Sequence, residues 1–116
     1  MPAISFRAEV RGSRELTTIT LHGDLDAGAD APLAAAYADA VRLDTEVLLL
    51  DFGDAGYINS TGIALIVRLL AGARLEHREV RAAGLGPHYL EIFRITRLSD
   101  YVHILDDPTD AGEATR

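Results

Sequence analysis

The chain has 116 residues, of which 48% are hydrophobic, and it carries a formal charge of −7 with no cysteine. This size predicts one domain spanning residues 1–116. The missing cysteines exclude disulfides and thiolate metal sites, and the negative charge argues against binding to nucleic acid or to a membrane. All eleven basic side chains are arginine, so lysine-dependent phosphate loops and Schiff bases are excluded. With no secretory signal and no long apolar run, we expect a cytoplasmic protein.

The N-terminal part of the chain predicts a β-hairpin followed by a helix. Residues 4–10 and 16–21 are β-favouring and are separated by a turn at residues 11–14. The alanine-rich segment 31–41 predicts a helix, with Asp30 as its N-cap.

The rest of the chain predicts alternating strands and helices. The apolar run 46–52 indicates a buried central strand, and residues 53–59 a loop. Residues 61–76 predict the longest helix, and its expected apolar face is Ile63, Ile66, Val67, Leu70 and Ala71. A strand at 79–83, a helix at 88–96 and a strand at 101–105 follow, and the acidic tail 107–116 is expected to fray. The order β-β-α-β-α-β-α-β predicts an α/β fold with an N-terminal hairpin and a mainly parallel sheet.

The segment from Asn59 to Gly62 lies where the predicted loop enters the longest helix. Backbone N–H groups and the helix dipole favour negative charge at such a position, so a phosphate on Ser60 would be tolerated. The alternative is purely structural, because Asn59 and Ser60 are both good helix caps. The two roles are compatible.

The sequence offers little support for catalysis. Asp51 resembles the acceptor aspartate of a response-regulator receiver, but the hairpin and the missing lysine argue against that class. Ser60 lacks the flanking glycines of a hydrolase elbow, and the four histidines are isolated from one another, which indicates no metal site. We therefore expect no enzyme activity, no catalytic residues and no cofactor, and rank a small enzyme using Ser60 or Asp51 last.

Three segments together resemble the STAS family, most closely the anti-sigma-factor antagonists. They are LLLDFGDAGYINSTGIALIVRLLAGAR, HGDLDAGAD and GLGPHYLEIFRITRLSDYVHI. The first resembles the family's D-S-[ST]-G-[LI] loop, and the second its G-x-L-D turn. Two residues depart from the pattern: Asn59 replaces the usual aspartate before the serine, and Arg97 replaces a glycine after the third helix.

The resemblance implies a STAS fold and a binding function. It implies that Ser60 is phosphorylated by a partner, an anti-sigma factor serine kinase that carries ATP and magnesium. The implied partner-binding residues are Asp26, Asn59, Ser60, Thr61, Gly62 and Ile63. Phosphorylation would add charge at that contact and oppose binding to the anti-sigma factor.

The Asn59 departure motivates an alternative within the same family. The chain would then be an unphosphorylated adaptor or scaffold subunit of a stress-signalling or lipid-transport assembly. The sequence leaves open whether the chain forms a homodimer.

Overall fold

The computed structural model describes residues 5–105 of the chain. Within them the strands are β1 (Arg7–Gly12), β2 (Thr17–Leu25), β3 (Val47–Ile58), β4 (Glu79–Ala83) and β5 (His103–Leu105). The helices are α1 (Asp30–Arg42), α2 (Ser60–Leu75) and α3 (Pro87–Ile95). Two short 3₁₀ turns are Ala27–Ala29 and Leu98–Asp100.

The strands form one mixed sheet in the order β1-β2-β3-β4-β5. β1 and β2 are antiparallel, and β2 through β5 are parallel. The α/β class, the hairpin and the mainly parallel sheet predicted from the sequence are therefore confirmed. The predicted acidic tail lies outside the described residues.

The main core lies between one face of the sheet and the three helices. Side chains alternate between the two faces of a strand, and Leu48 and Leu50 of β3 belong to this core together with Phe93 of α3. Leu49 lies on the opposite face in a small cluster with Ala83. The continuous apolar run in β3 thus supplies both faces, as expected for a central strand.

β3 is longer than the sequence predicts. The expected loop 53–59 is mostly strand, because β2 continues beside it: His22 pairs with Asp54 and Leu25 with Ile58. β4 pairs only with the first part of β3, as far as Asp51. Asp51 therefore lies in the middle of β3, and the predicted end of this strand at residue 52 is wrong.

Three local predictions also need correction. Asp30 is the first residue of α1 and does not cap it; Ala29 holds that position without a side-chain bond, because the helix continues directly from the preceding 3₁₀ turn. Val67 and Ala71 of α2 are exposed, since the buried face is formed instead by Leu65, Leu69 and their neighbours. The last strand begins at His103 and not at residue 101, because the chain first completes the second 3₁₀ turn.

Each helix is followed by a residue in the left-handed conformation that is not glycine. Asp44, His77 and Arg97 have φ values of 53°, 60° and 66°. Glycine is the usual residue at this position because it has no Cβ to clash with the backbone. Arg97, which replaces the glycine of the family pattern, therefore occupies a position where the backbone does favour glycine.

Candidate functional site

The site is built where β2 and β3 end beside each other. Asn59 N donates to the carbonyl oxygen of Leu25 at 3.2 Å, which joins the residue before α2 to the last residue of β2. The next residue, Asp26, caps the following 3₁₀ turn by accepting from Gly28 N at 2.9 Å. We call residues 24–26 and 59–63 the Ser60 site.

Asn59 is the N-cap of α2. Its side-chain oxygen accepts from Gly62 N at 2.9 Å, and its backbone is extended, as expected for a cap. The structural role considered for Asn59 from the sequence is thereby confirmed. Because Asn59 performs it, the hydroxyl of the next residue, Ser60, is not required for capping.

Ser60 is the first residue of α2 and is exposed, as is Thr61. Among residues 5–105, the Ser60 hydroxyl has no hydrogen-bond partner. The first N–H groups of a helix have no intrahelical acceptor, and the dipole makes this end partly positive. A free hydroxyl thus stands at a helix end that favours an added negative group.

Gly62 allows α2 to approach β2 closely. A Cβ at this position would lie 2.1 Å from the carbonyl oxygen of Leu25 and 2.8 Å from its carbonyl carbon. Real Cβ atoms do not come so close to backbone atoms, so any larger residue would push the start of α2 away from β2. Gly62 is buried and the next residue, Ile63, is half-buried against the core, so both anchor the exposed residues before them.

Two residues that the sequence did not single out hold the extended part of β3. Asp24 accepts from Tyr57 N at 2.9 Å, and the phenol oxygen of Tyr89 accepts from Ile58 N at 2.8 Å. Asp24 lies inside the HGDLD segment, so its proximity to Asp26 was visible, but its partner on β3 was not. Nothing in the local pattern around Tyr89 pointed to this bond across 31 residues.

The structure brings the predicted site residues together. Asn59 to Ile63 are consecutive, and Asp26 joins them through the bond between Asn59 and Leu25. These side chains differ in exposure and in hydrogen bonding. Ser60 and Thr61 are exposed, whereas Asp26 and Asn59 are half-buried and already accept hydrogen bonds from backbone N–H groups.

Among the histidines and acidic side chains considered for chemistry from the sequence, His22 and Asp51 make other contacts within the described residues. Within residues 5–105, no group of three or more histidine, cysteine, aspartate or glutamate side chains is arranged to hold a metal ion. His22 lies between Glu9 and Asp54, at 2.5 and 3.4 Å, and its hydrogen bond lowers the pKa of Glu9. Asp51 accepts from Gly53 N at 2.9 Å, a local turn contact.

The described part of the chain contains no helix with the length and apolar character needed to cross a membrane. The five-stranded mixed sheet with its N-terminal hairpin and three helices is a fold shared with solved structures of anti-sigma-factor antagonists. Residues 8–106 match the family model described as Mlab, STAS domain. The chain belongs to this STAS family.

Solved structures with this fold include several antagonists. An anti-sigma factor antagonist from Mycobacterium paratuberculosis superposes with a TM-score of 0.79 at 17% identity, covering 95% of this chain and 93% of that one. SpoIIAA of Bacillus in its phosphorylated form gives 0.71 at 19% identity, covering 96% and 99%. A putative antagonist from Thermotoga maritima gives 0.72 at 16% identity, covering 94% and 92%. No curated protein sequence matches this chain.

Proposed function

We propose that the chain is an anti-sigma-factor antagonist that binds a kinase-type anti-sigma factor and loses that binding when Ser60 is phosphorylated. The observation that carries the proposal is the exposed, unbonded hydroxyl of Ser60 at the first position of α2. One of the solved structures with this fold is of SpoIIAA in a phosphorylated form. The kinase partner would supply ATP and magnesium, and this chain would supply only the hydroxyl.

The arrangement favours an effect on binding without refolding. A phosphate adds about −1.5 to −2 charges near neutral pH. At Ser60 this charge would be stabilised by the N-terminal end of α2, so the fold is preserved. The same charge would be added at the exposed start of α2, where a partner must displace water to bind.

Asn59 bears on how the partner recognises the site. An aspartate here would place a carboxylate next to the hydroxyl, whereas the Asn59 amide is neutral and already bonds to Gly62 N. The unphosphorylated surface is therefore less negative than in the family pattern, and this difference would alter recognition by the kinase or basal binding to the partner. The same feature favours the second candidate, an adaptor subunit that is never phosphorylated.

The test is incubation with the cognate anti-sigma factor kinase and ATP, followed by intact-protein mass spectrometry. We expect one added phosphate, lost in Ser60→Ala and retained in the matched control Thr61→Ala, which alters the neighbouring exposed hydroxyl. Equal labelling of the Ser60→Ala protein would refute the site. Stable complex formation without any labelling would instead support the adaptor function.

A further inference from the structure

A second surface lies toward the far end of α2, away from Ser60. Val67 and Tyr101 are large apolar residues with exposed fractions of 43% and 51%. Together with the buried Leu70 and Leu98 they line a groove of about 400 Å³ between α2 and the second 3₁₀ turn. The groove extends from Val67 to Arg74, about 10 Å along the helix axis at the usual rise per residue.

The groove adjoins a polar cleft of about 530 Å³. The two share Leu70, Arg74 and Tyr101. The basic side chains that line the cleft come from α2, the turn before β4, and β5; they are Arg74, His77, Arg78 and His103.

The acidic residues of the cleft are already paired. Glu79 accepts from Arg81 at 2.5 Å, and Asp100 accepts from Arg97 at 2.9 Å. Arg81 and Arg97 lie outside the cleft lining. Arg78 is paired with Glu76 and Asp44, which leaves Arg74 as the arginine of the lining that has no ion pair among residues 5–105.

Arg74 is placed to receive an acid. Its guanidinium lies 5.0 Å from the centre of the Tyr101 ring, and no carboxylate among residues 5–105 forms an ion pair with it. Stacking on an aromatic ring holds a guanidinium flat and leaves its N–H edge free, and that edge fits a carboxylate with two parallel hydrogen bonds. The Arg74 guanidinium therefore stands at the boundary between the apolar groove and the polar cleft.

We propose that this groove binds a small amphiphilic carboxylic acid. Its carboxylate would pair with Arg74 and its apolar body would lie along Val67, Ala71 and Leu98. The groove volume is within the usual range for small-molecule sites, which are mostly apolar with a few placed polar groups. The site is independent of the function proposed for Ser60, from which Arg74 is separated by 14 positions along α2.

The test is a titration of the ¹⁵N-labelled chain with three probes below their micelle concentrations. Octanoate has both the carboxylate and an apolar chain, and acetate has the carboxylate with almost no chain. Octyltrimethylammonium has the same apolar chain with a positive charge in place of the carboxylate. We expect octanoate to give saturable amide shifts centred on Val67, Ala71 and Tyr101, with acetate and the cation at least about tenfold weaker, a difference near 1.4 kcal/mol.

Two arginine variants on the same helix sharpen the test. Arg74→Gln should weaken the binding of octanoate at least about tenfold. Arg68→Gln is the matched control, because Arg68 is exposed on α2 but paired with Asp30, and it should leave the affinity within about twofold. Equal binding of octanoate and the cationic probe, shifts centred elsewhere, or no saturable shift would overturn the proposal.

Discussion

The two ends of α2 are held in different ways. At the Ser60 site, close backbone contact and caps fix the structure, through Asn59, Gly62 and the carbonyl of Leu25. These contacts leave the Ser60 hydroxyl unused. The start of α2 thus offers a hydroxyl that can gain a charge, whereas charged side chains at its other end are already paired with one another.

At the opposite end of α2, charged and polar side chains bind one another. We call them the Arg78 network, which consists of Tyr37, Asp44, Thr45, Glu76 and Arg78. Arg78 donates to the carbonyl oxygen of Thr45 at 2.5 Å and to Glu76 at 3.2 Å, and lies 3.5 Å from Asp44. Tyr37 donates to Glu76 at 2.5 Å. The pKa of Tyr37 is raised to about 12, chiefly by burial and next by its hydrogen bond to Glu76. The network therefore has a structural role, joining α1, α2 and the starts of β3 and β4.

The largest expected effect comes from filling the close contact at the Ser60 site. Gly62→Ala should destabilise the fold by about 2–3 kcal/mol, because the new methyl group overlaps the Leu25 carbonyl. The matched control is Gly72→Ala on the same helix, where an added Cβ meets nothing within 4 Å, and it should stabilise by about 0.5–1 kcal/mol. Urea unfolding of both variants checks this, and equal behaviour would show that the close approach is not required.

A smaller effect is expected from opening the Arg78 network. The Arg78 side chain is only 12% exposed, and Arg78→Gln would leave the Thr45 carbonyl without its charged donor, costing about 1–2 kcal/mol. The pKa of Glu76, lowered first by the Tyr37 hydrogen bond and then by Arg78, should rise in the variant. A pKa lowered by folding stabilises the protein above the unfolded-state pKa, and this contribution is lost as the pH falls through the folded value.

The difference in free energy of unfolding between the wild-type and Arg78→Gln proteins should therefore narrow as the pH is lowered below about 4.5, the ordinary glutamate pKa. Urea unfolding from pH 7 to pH 3 measures it. A gap that widens toward low pH would contradict the assignment of the network.

The smallest effect is expected at the helix cap. Asn59→Ala should cost about 1 kcal/mol, because Gly62 N loses its acceptor. Asn59→Asp keeps the acceptor and adds a charge that the dipole favours, so stability should be unchanged or higher by about 0.3–1 kcal/mol. Thermal unfolding of both variants measures the contribution of the cap to stability. If Asn59→Asp destabilised the protein as much as Asn59→Ala, the capping role of Asn59 would be refuted.

Local patterns are enough to predict the order of elements and the position of Ser60 at the start of the longest helix. The long apolar run of β3 and the helical spacing of α2 are strong signals because each depends on neighbouring residues alone. The second half of β3 was missed since Gly53, Asp54 and Gly56 disfavour strand, and only pairing with β2 makes them extended. The exposure of Val67 was likewise missed, because which stripe of α2 faces the sheet is a tertiary property.

The central claim is that a charge at Ser60 opposes partner binding without altering the fold. The most direct measurement is the affinity of the phosphorylated and unphosphorylated chains for the cognate anti-sigma factor by calorimetry, with the melting temperature of each form. We predict that phosphorylation weakens binding by about 100-fold or more while the melting temperature shifts by no more than about 2 °C. Equal affinities, or a lost affinity accompanied by unfolding of the phosphorylated chain, would contradict the account.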